Sequence, residues 1–166
     1  MIEETLMKLG IPTYTDTYYT KLDGTPGQVK IGQDMPKPIG WIYGLSVNPT
    51  GTQPANVGLN IISEANLQAL WLYLKIGVDL YVNNYRLDNL NFVSVANQNY
   101  SNPRRYLPVG VPNVTDLKES YYANPSGIAD VYVPLTIHYI DVGAYDLLVE
   151  KGYLYRDYKA LPSVKK

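Results

Sequence analysis

The sequence predicts an all-β protein, built as an antiparallel sandwich or barrel with at most one or two short helices. Strand-like runs of alternating side chains are separated by turn sequences such as Asp23-Gly24 and Asn124-Pro125-Ser126-Gly127. The chain contains 17 Tyr, one Phe and two Trp, and tyrosine favours strands and half-buried sheet faces. We interpret residues 1–166 as a single domain that ends in a flexible tail at 160–166.

The first residues carry a helical pattern. Ile2, Leu6 and Leu9 fall at helical spacing, which predicts a short amphipathic helix that ends at Gly10. An end segment of this kind also fits an N-terminal arm that becomes ordered on meeting a neighbour. Both interpretations of residues 1–11 stay open at this point.

Strand patterns dominate the following residues. Thr13–Lys21 and Gln28–Gly32 are predicted as the first two strands. Ile39–Val47 alternates, which predicts a third strand with one face formed by Ile39, Trp41, Tyr43, Leu45 and Val47.

The clearest strand is predicted at Ala69–Ile76. One face is aliphatic, and the other carries Trp71, Tyr73 and Lys75. Asn83-Asn84 is predicted to form a hairpin turn because asparagine tolerates the left-handed conformation. The chain would then return through Tyr85–Val95.

The second half mixes strand, turn and loop signals. Ala96–Pro112 is rich in Asn, Pro and Gly and is predicted to be a loop, and Asp116–Tyr122 a helical turn. Ala129–Ile140 is predicted to be a long strand in which Pro134 requires an edge, a bulge or an unpaired position. Asp141–Tyr158 fits either a helix or a strand.

Composition excludes several classes of protein. A formal net charge of −1, from 14 basic and 15 acidic residues, does not favour sequence-independent binding of nucleic acid. The absence of cysteine excludes disulfides, thiol catalysis and cysteine-ligated zinc. The first ten residues do not resemble a signal peptide, and no run approaches the roughly 20 apolar residues of a membrane helix.

The residues give little indication of chemistry. The single histidine, His138, lies within a predicted strand on the face opposite Val131, Val133 and Leu135, and we interpret it as structural rather than as a catalytic base. The carboxylates are scattered over predicted strand ends and turns: Asp79, Asp88, Asp130, Asp141, Asp146 and Asp157. We therefore predict no catalytic, metal-binding or cofactor-binding residues and no enzyme activity, while a convergent carboxylate pair is the weakest of the alternatives.

Three further motifs have a plain and a functional interpretation. Arg104-Arg105 is either a solvated loop tip or an anchor between subunits, and Lys165-Lys166 is either a solubilising tail or a weak nucleic-acid contact. Asn113-Val114-Thr115 matches a glycosylation triplet, to which we attach no weight without a secretory signal.

The middle of the chain resembles the jelly-roll capsid proteins of tailless icosahedral, membrane-containing bacteriophages. The resemblance covers about a third of the chain and lies in DMPKPIGWIYG at 34–44, LWLYLK at 70–75 and DLYVNNYRLD at 79–88. Major capsid proteins of this kind have two jelly rolls, whereas this chain has room for one. The resemblance therefore implies a single jelly roll, and a vertex (penton) or minor capsid role.

That resemblance implies partners and a location. We expect a homo-oligomer, with a pentamer favoured, that contacts other capsid proteins and an internal membrane and binds no specific nucleic acid. The protein would be made in the host cytoplasm and reside in the virion capsid. The alternative is a carbohydrate-binding module or receptor-binding head, in which loop aromatics such as Tyr100 and Tyr106 would stack on a glycan.

Overall fold

The computed structural model describes residues 2–31, 34–47, 60–90 and 107–154. Its strands run β1 Tyr14–Asp23, β2 Gly27–Lys30, β3 Asp34–Val47, β4 Trp71–Ile76, β5 Asp79–Arg86, β6 Leu107–Asp116, β7 Tyr121–Asn124 and β8 Ala129–Ile140. The helices are α1 Ile2–Lys8, α2 Glu64–Leu67 and α3 Val142–Glu150, with a 3-10 turn at Leu87–Leu90.

The strands form two antiparallel four-stranded sheets. Sheet I has the order β1-β8-β3-β6 and sheet II the order β2-β7-β4-β5. This order is that of an eight-stranded jelly roll, in which successive strands move between the two sheets. The predicted all-β, single jelly-roll class is therefore confirmed.

One core lies between the sheets. Alternate residues of each strand point inwards, and β8 shows this best, since Val133, Leu135 and Ile137 are fully buried. Leu72 and Leu74 of β4 face them from sheet II in the same cluster. The inner face predicted for Ala69–Ile76 is thus confirmed.

A second, smaller cluster lies on the outer face of sheet I, where α1 and α3 pack. Leu6 of α1 and Tyr145 and Leu148 of α3 are buried there against Tyr43 and Ile140. The close approach of α3 depends on Gly40, because a Cβ at this position would overlap the Asp141 carbonyl group and lie 2.8 Å from Tyr145 Cβ. We call α1 and α3 together the helical layer.

The helix predicted at Ile2–Leu9 is confirmed. Asp141–Tyr158, for which helix and strand were both open, forms α3 through Glu150. The Asp141 carboxylate caps it by accepting a hydrogen bond of 2.7 Å from the Ala144 N–H.

Four local predictions are wrong. The hairpin predicted at Asn83-Asn84 with a return through Tyr85–Val95 is wrong, because the turn lies at Gly77-Val78 and the chain after β5 forms the 3-10 turn at Leu87–Leu90. Asn84 keeps its left-handed φ of 50° inside β5, beside register shifts in the β4–β5 pairing. Lys118-Glu119 forms a turn where a helical turn was predicted. The predicted loop is a strand from Leu107 onwards because β6 is an edge strand, where prolines are tolerated.

The fourth error concerns the faces of β3. Trp41 and Tyr43 were placed beside Leu45 and Val47, yet they pack in the outer cluster. The register shifts between Ile42 and Gly44, and a shift of this kind reverses the alternation of side chains.

Pro134 lies in β8, an inner strand of sheet I. Tyr132, two residues earlier, uses its N–H and C=O on the β3 side, where they bond to Asn60 and Ile62. The β3 ladder begins at the next position, with Leu135 opposite Val47. In a strand, the backbone N–H groups of residues two apart point to the same side, so the N–H that Pro134 lacks would point towards β3. That position falls between the pairing of Tyr132 and the pairing of Leu135.

Candidate functional site

His138 lies on the outer face of sheet I, as predicted. Its Nε2 is 3.0 Å from Ser46 Oγ, and its ring centroid is 6.2 Å from that of Tyr43. Burial disfavours the charged imidazolium and lowers the pKa of His138 to about 4. A neutral, hydrogen-bonded ring at the edge of the helical layer fits the structural interpretation of this residue.

Three of the carboxylates each have a separate structural partner. Asp141 caps α3, Asp88 accepts from Arg86 Nε at 2.6 Å, and Asp16 accepts from the Tyr139 hydroxyl at 2.7 Å. Within the described ranges no group of three His, Asp or Glu side chains could hold a metal ion. None of the described helices has the length and apolar character needed to cross a membrane.

Several sequence candidates lie outside the described residues: Tyr100, Arg104, Arg105, Tyr106, Asp157, Lys165 and Lys166. The glycosylation triplet lies within β6, with Asn113 in the left-handed region at a φ of 53°. Asp130 is also left-handed, and its carbonyl oxygen accepts a 2.8 Å hydrogen bond from the Asn60 amide.

The outer face of sheet II carries a continuous group of aromatic side chains. Trp71 and Tyr73 alternate with buried leucines along β4, and Tyr121 lies opposite Tyr73 in β7. The rings of Tyr73 and Tyr121 stack with centroids 4.7 Å apart at 14°. The Tyr73 hydroxyl donates to Asn84 Oδ1 at 2.9 Å, which fixes the ring from the β5 side.

Basic side chains surround these rings. Lys30 lies opposite Tyr121, Arg86 lies opposite Trp71, and Lys75 follows Tyr73 on the same side of β4. Because Arg86 is paired with Asp88, the two lysines leave this face with a charge of about +2. We call these six residues the aromatic face: Lys30, Trp71, Tyr73, Lys75, Arg86 and Tyr121.

The helical layer presents the opposite charge. Helices α1 and α3 together with the adjoining Lys151 (residues 2–8 and 142–151) contain four acidic and two basic side chains, a net charge of −2. Its outward side also exposes apolar groups, since Met7 is 79% and Leu147 40% exposed. The two outer sides of the sandwich therefore differ in both shape and sign of charge.

The alternation of residues 69–76 predicted part of this geometry, because it put Trp71, Tyr73 and Lys75 together on one side of a strand. The contributions of Tyr121 and Lys30 were missed, because they depend on pairing between strands that are distant in sequence.

No family model, curated protein or solved structure matches the chain. The class of the protein therefore rests on its own strand order, which defines a single jelly-roll β-sandwich.

Proposed function

We propose that this protein is a structural component of a virion, a capsid vertex (penton) protein or a minor capsid protein, that assembles through protein–protein contacts. The observation that carries the proposal is the complete jelly-roll strand order of the two sheets. Viral capsid domains are one of the main uses of this architecture. The sequence resemblance in residues 34–44, 70–75 and 79–88 supports the same assignment.

Surface chemistry also supports an assembling protein. Tyr, Trp, Met and Arg are enriched in protein interfaces, and such residues occur on both outer sides of the sandwich. A net charge of −1 produces little repulsion between copies.

The test is the solution mass of the purified protein, measured by light scattering coupled to size exclusion. The chain has a mass of 18.6 kDa, and we expect a closed ring, with five copies favoured. A protein that stays monomeric at high micromolar concentration and binds no capsid protein would contradict the proposal.

A second candidate function is glycan binding, which the aromatic face favours. Trp71 and Tyr73 lie on an outer sheet surface, with Arg86 opposite Trp71 and Lys75 next on the same side after Tyr73, and aromatic rings of this kind stack on sugars. A glycan screen would then show saturable binding that Trp71→Ala abolishes and Tyr153→Ala, at an exposed position outside this face, leaves unchanged. The absence of any glycan signal would remove this candidate.

A further inference from the structure

The aromatic face and the helical layer lie on opposite outer sides of one molecule. The first has an aromatic centre with Lys30, Lys75 and Arg86 around it. The second has exposed apolar side chains, Met7 and Leu147, each three residues from an exposed glutamate, and its net charge of −2 includes the exposed Lys8 and Lys151. Each surface has the chemistry that the other would require of a partner.

Helix geometry puts the acidic and apolar groups of the layer on the same outward side. In α1, Glu4 and Met7 are three residues apart and both are exposed, while Leu6 is fully buried. In α3, Leu147 and Glu150 repeat this spacing, opposite the buried Tyr145. Glu4 and Glu150 therefore stand beside the exposed apolar groups and can face a basic partner.

We infer that the aromatic face of one copy docks on the helical layer of the next copy. The occupant of each surface is thus a second copy of this chain, and the argument is their complementary charge, about +2 against −2, around apolar centres. The inference rests on the proposed function, because it locates the contact through which an assembling protein would associate.

Such a contact is heterologous, since two different surfaces of the same chain meet. Repeating it adds copies in one direction, which produces a closed ring when the rotation between neighbours closes and a filament when it does not. A ring arises without any two-fold axis, as a cyclic vertex assembly requires. Aromatic residues at the centre would contribute most of the binding energy, and the charges would set register and association rate.

Charge reversal tests this contact directly. Lys30→Glu with Lys75→Glu makes the aromatic face acidic, and Glu4→Lys with Glu150→Lys makes the helical layer basic. Each double variant brings like charges together, so we expect both to fall to the 18.6 kDa monomer at concentrations where the wild-type protein assembles. The quadruple variant restores opposite charges and should regain the wild-type mass.

Mixing the two double variants gives a second measurement. Every contact in a strictly alternating chain of the two is complementary, so the equimolar mixture should assemble although neither variant does alone. Alternation closes only rings with an even number of copies. A wild-type pentamer would therefore give a mixture of different mass, while the quadruple variant would return to five.

Two controls separate folding from assembly. Lys21→Glu changes an exposed charge on β1 outside both surfaces and should leave the assembly unchanged. Thermal melting of each variant at low concentration verifies that the monomers are folded. Wild-type assembly should also weaken as salt is raised, because the Debye length falls from about 10 Å at 0.1 M to about 3 Å at 1 M.

The outcomes distinguish this inference from the proposed function. Assembly of both double variants at the wild-type mass would overturn the contact and leave the virion role standing. A wild-type protein that neither assembles nor binds a capsid protein would overturn both. Loss of assembly in the double variants that the quadruple variant and the mixture both fail to restore would also overturn the docking.

Discussion

At the scale of single residues, the main core contains polar groups without partners. The hydroxyls of Thr20 and Tyr122 are buried, and neither has a hydrogen-bond partner within the part of the chain described. Burial strongly raises the pKa of Tyr122, so the phenol is neutral at physiological pH. A buried hydroxyl without a partner costs about 1–3 kcal/mol.

We expect Tyr122→Phe to raise the free energy of unfolding by about 1 kcal/mol, because it removes the unpaired hydroxyl and keeps the ring. The matched control is Tyr139→Phe, which loses the 2.7 Å hydrogen bond to Asp16 and should lower stability by about 1.5 kcal/mol or more. Urea unfolding measures both. Equal destabilisation by the two substitutions would show that the Tyr122 hydroxyl has a partner in solution.

His138 makes the free energy of unfolding depend on pH near pH 6.5, where no other type of side chain titrates at its ordinary pKa. Burial lowers its folded pKa to about 4, whereas the unfolded value is about 6.5. Above pH 6.5 both states hold a neutral ring and the contribution of His138 is fully present. Below that pH the unfolded state binds the proton first, so stability falls as pH drops towards 4.

The measurement is the urea midpoint between pH 7 and pH 5, above the range in which most carboxylates titrate. His138 is the single histidine of the chain, so His138→Gln should flatten this dependence while keeping a group that can bond to Ser46. We expect a wild-type loss of about 1 kcal/mol over this range, after allowance for partial solvent screening. An equal slope in His138→Gln would assign the dependence to other groups.

At the scale of elements, one serine joins two strands of sheet II. The Ser120 hydroxyl accepts from the Lys75 N–H at 3.0 Å and donates to the Lys75 carbonyl at 2.9 Å. The side chain therefore continues the β4–β7 ladder beyond the last backbone pair, Tyr73 with Tyr121. It holds the two strands at the point where the aromatic face is formed.

Ser120→Ala should destabilise the protein by about 2–3 kcal/mol, because it leaves both backbone groups of Lys75 without their partner. Ser126→Ala, in the exposed β7–β8 turn, is the matched control and should stay within about 0.5 kcal/mol of wild type. Amide exchange in β4 would report the loosened ladder. A change in Ser120→Ala as small as that of the control would mean that water replaces the hydroxyl.

The elements also show what the sequence could predict. The alternation of Leu72 and Leu74 with Trp71 and Tyr73 is a local pattern, and it correctly indicated the strand and its two faces. The orientation of Trp41 and Tyr43 depends on a register shift against β8, which no local pattern records. Strand β6 was missed because Pro108 and Pro112 resemble loop residues until the edge position of the strand is known.

In the candidate surfaces, too, local patterns could be predicted and long-range contacts could not. Ser120 was not recognised, because its role depends on a contact with a residue 45 positions away. For the helical layer, the sequence predicted a helix at Ile2–Leu9 and left helix or strand open at Asp141–Tyr158. Its place on sheet I depends on Gly40, whose missing side chain makes room for Asp141 and Tyr145. Long-range pairing therefore sets the parts of the site that sequence reasoning could not supply.

At the scale of the whole molecule, sheet I separates two apolar clusters that differ in size. The larger one lies between the sheets, and the smaller one joins α1 and α3 to the outer side of sheet I. Helix α1 has seven residues, and an isolated helix of that length is not stable in water. Its order therefore depends on docking through Leu6, which is fully buried in the smaller cluster.

The two tryptophans report separately on these clusters, since Trp41 packs beside the helical layer and Trp71 lies on sheet II. We expect Leu6→Ala to release the helical layer at a lower urea concentration than the sheets. A Trp71→Phe background leaves Trp41 as the reporter, and a Trp41→Phe background leaves Trp71. In Leu6→Ala, the Trp41 fluorescence should then change at a lower urea concentration than the Trp71 fluorescence. Leu72→Ala, the control in the larger core, should move both fluorescence transitions together and lower the free energy of unfolding by about 2–5 kcal/mol.

Coincident transitions in Leu6→Ala would instead mean that the two clusters unfold as one unit. In that case the helical layer could not be lost without the fold, and the surface inferred to dock on a second copy would persist as long as the sandwich does.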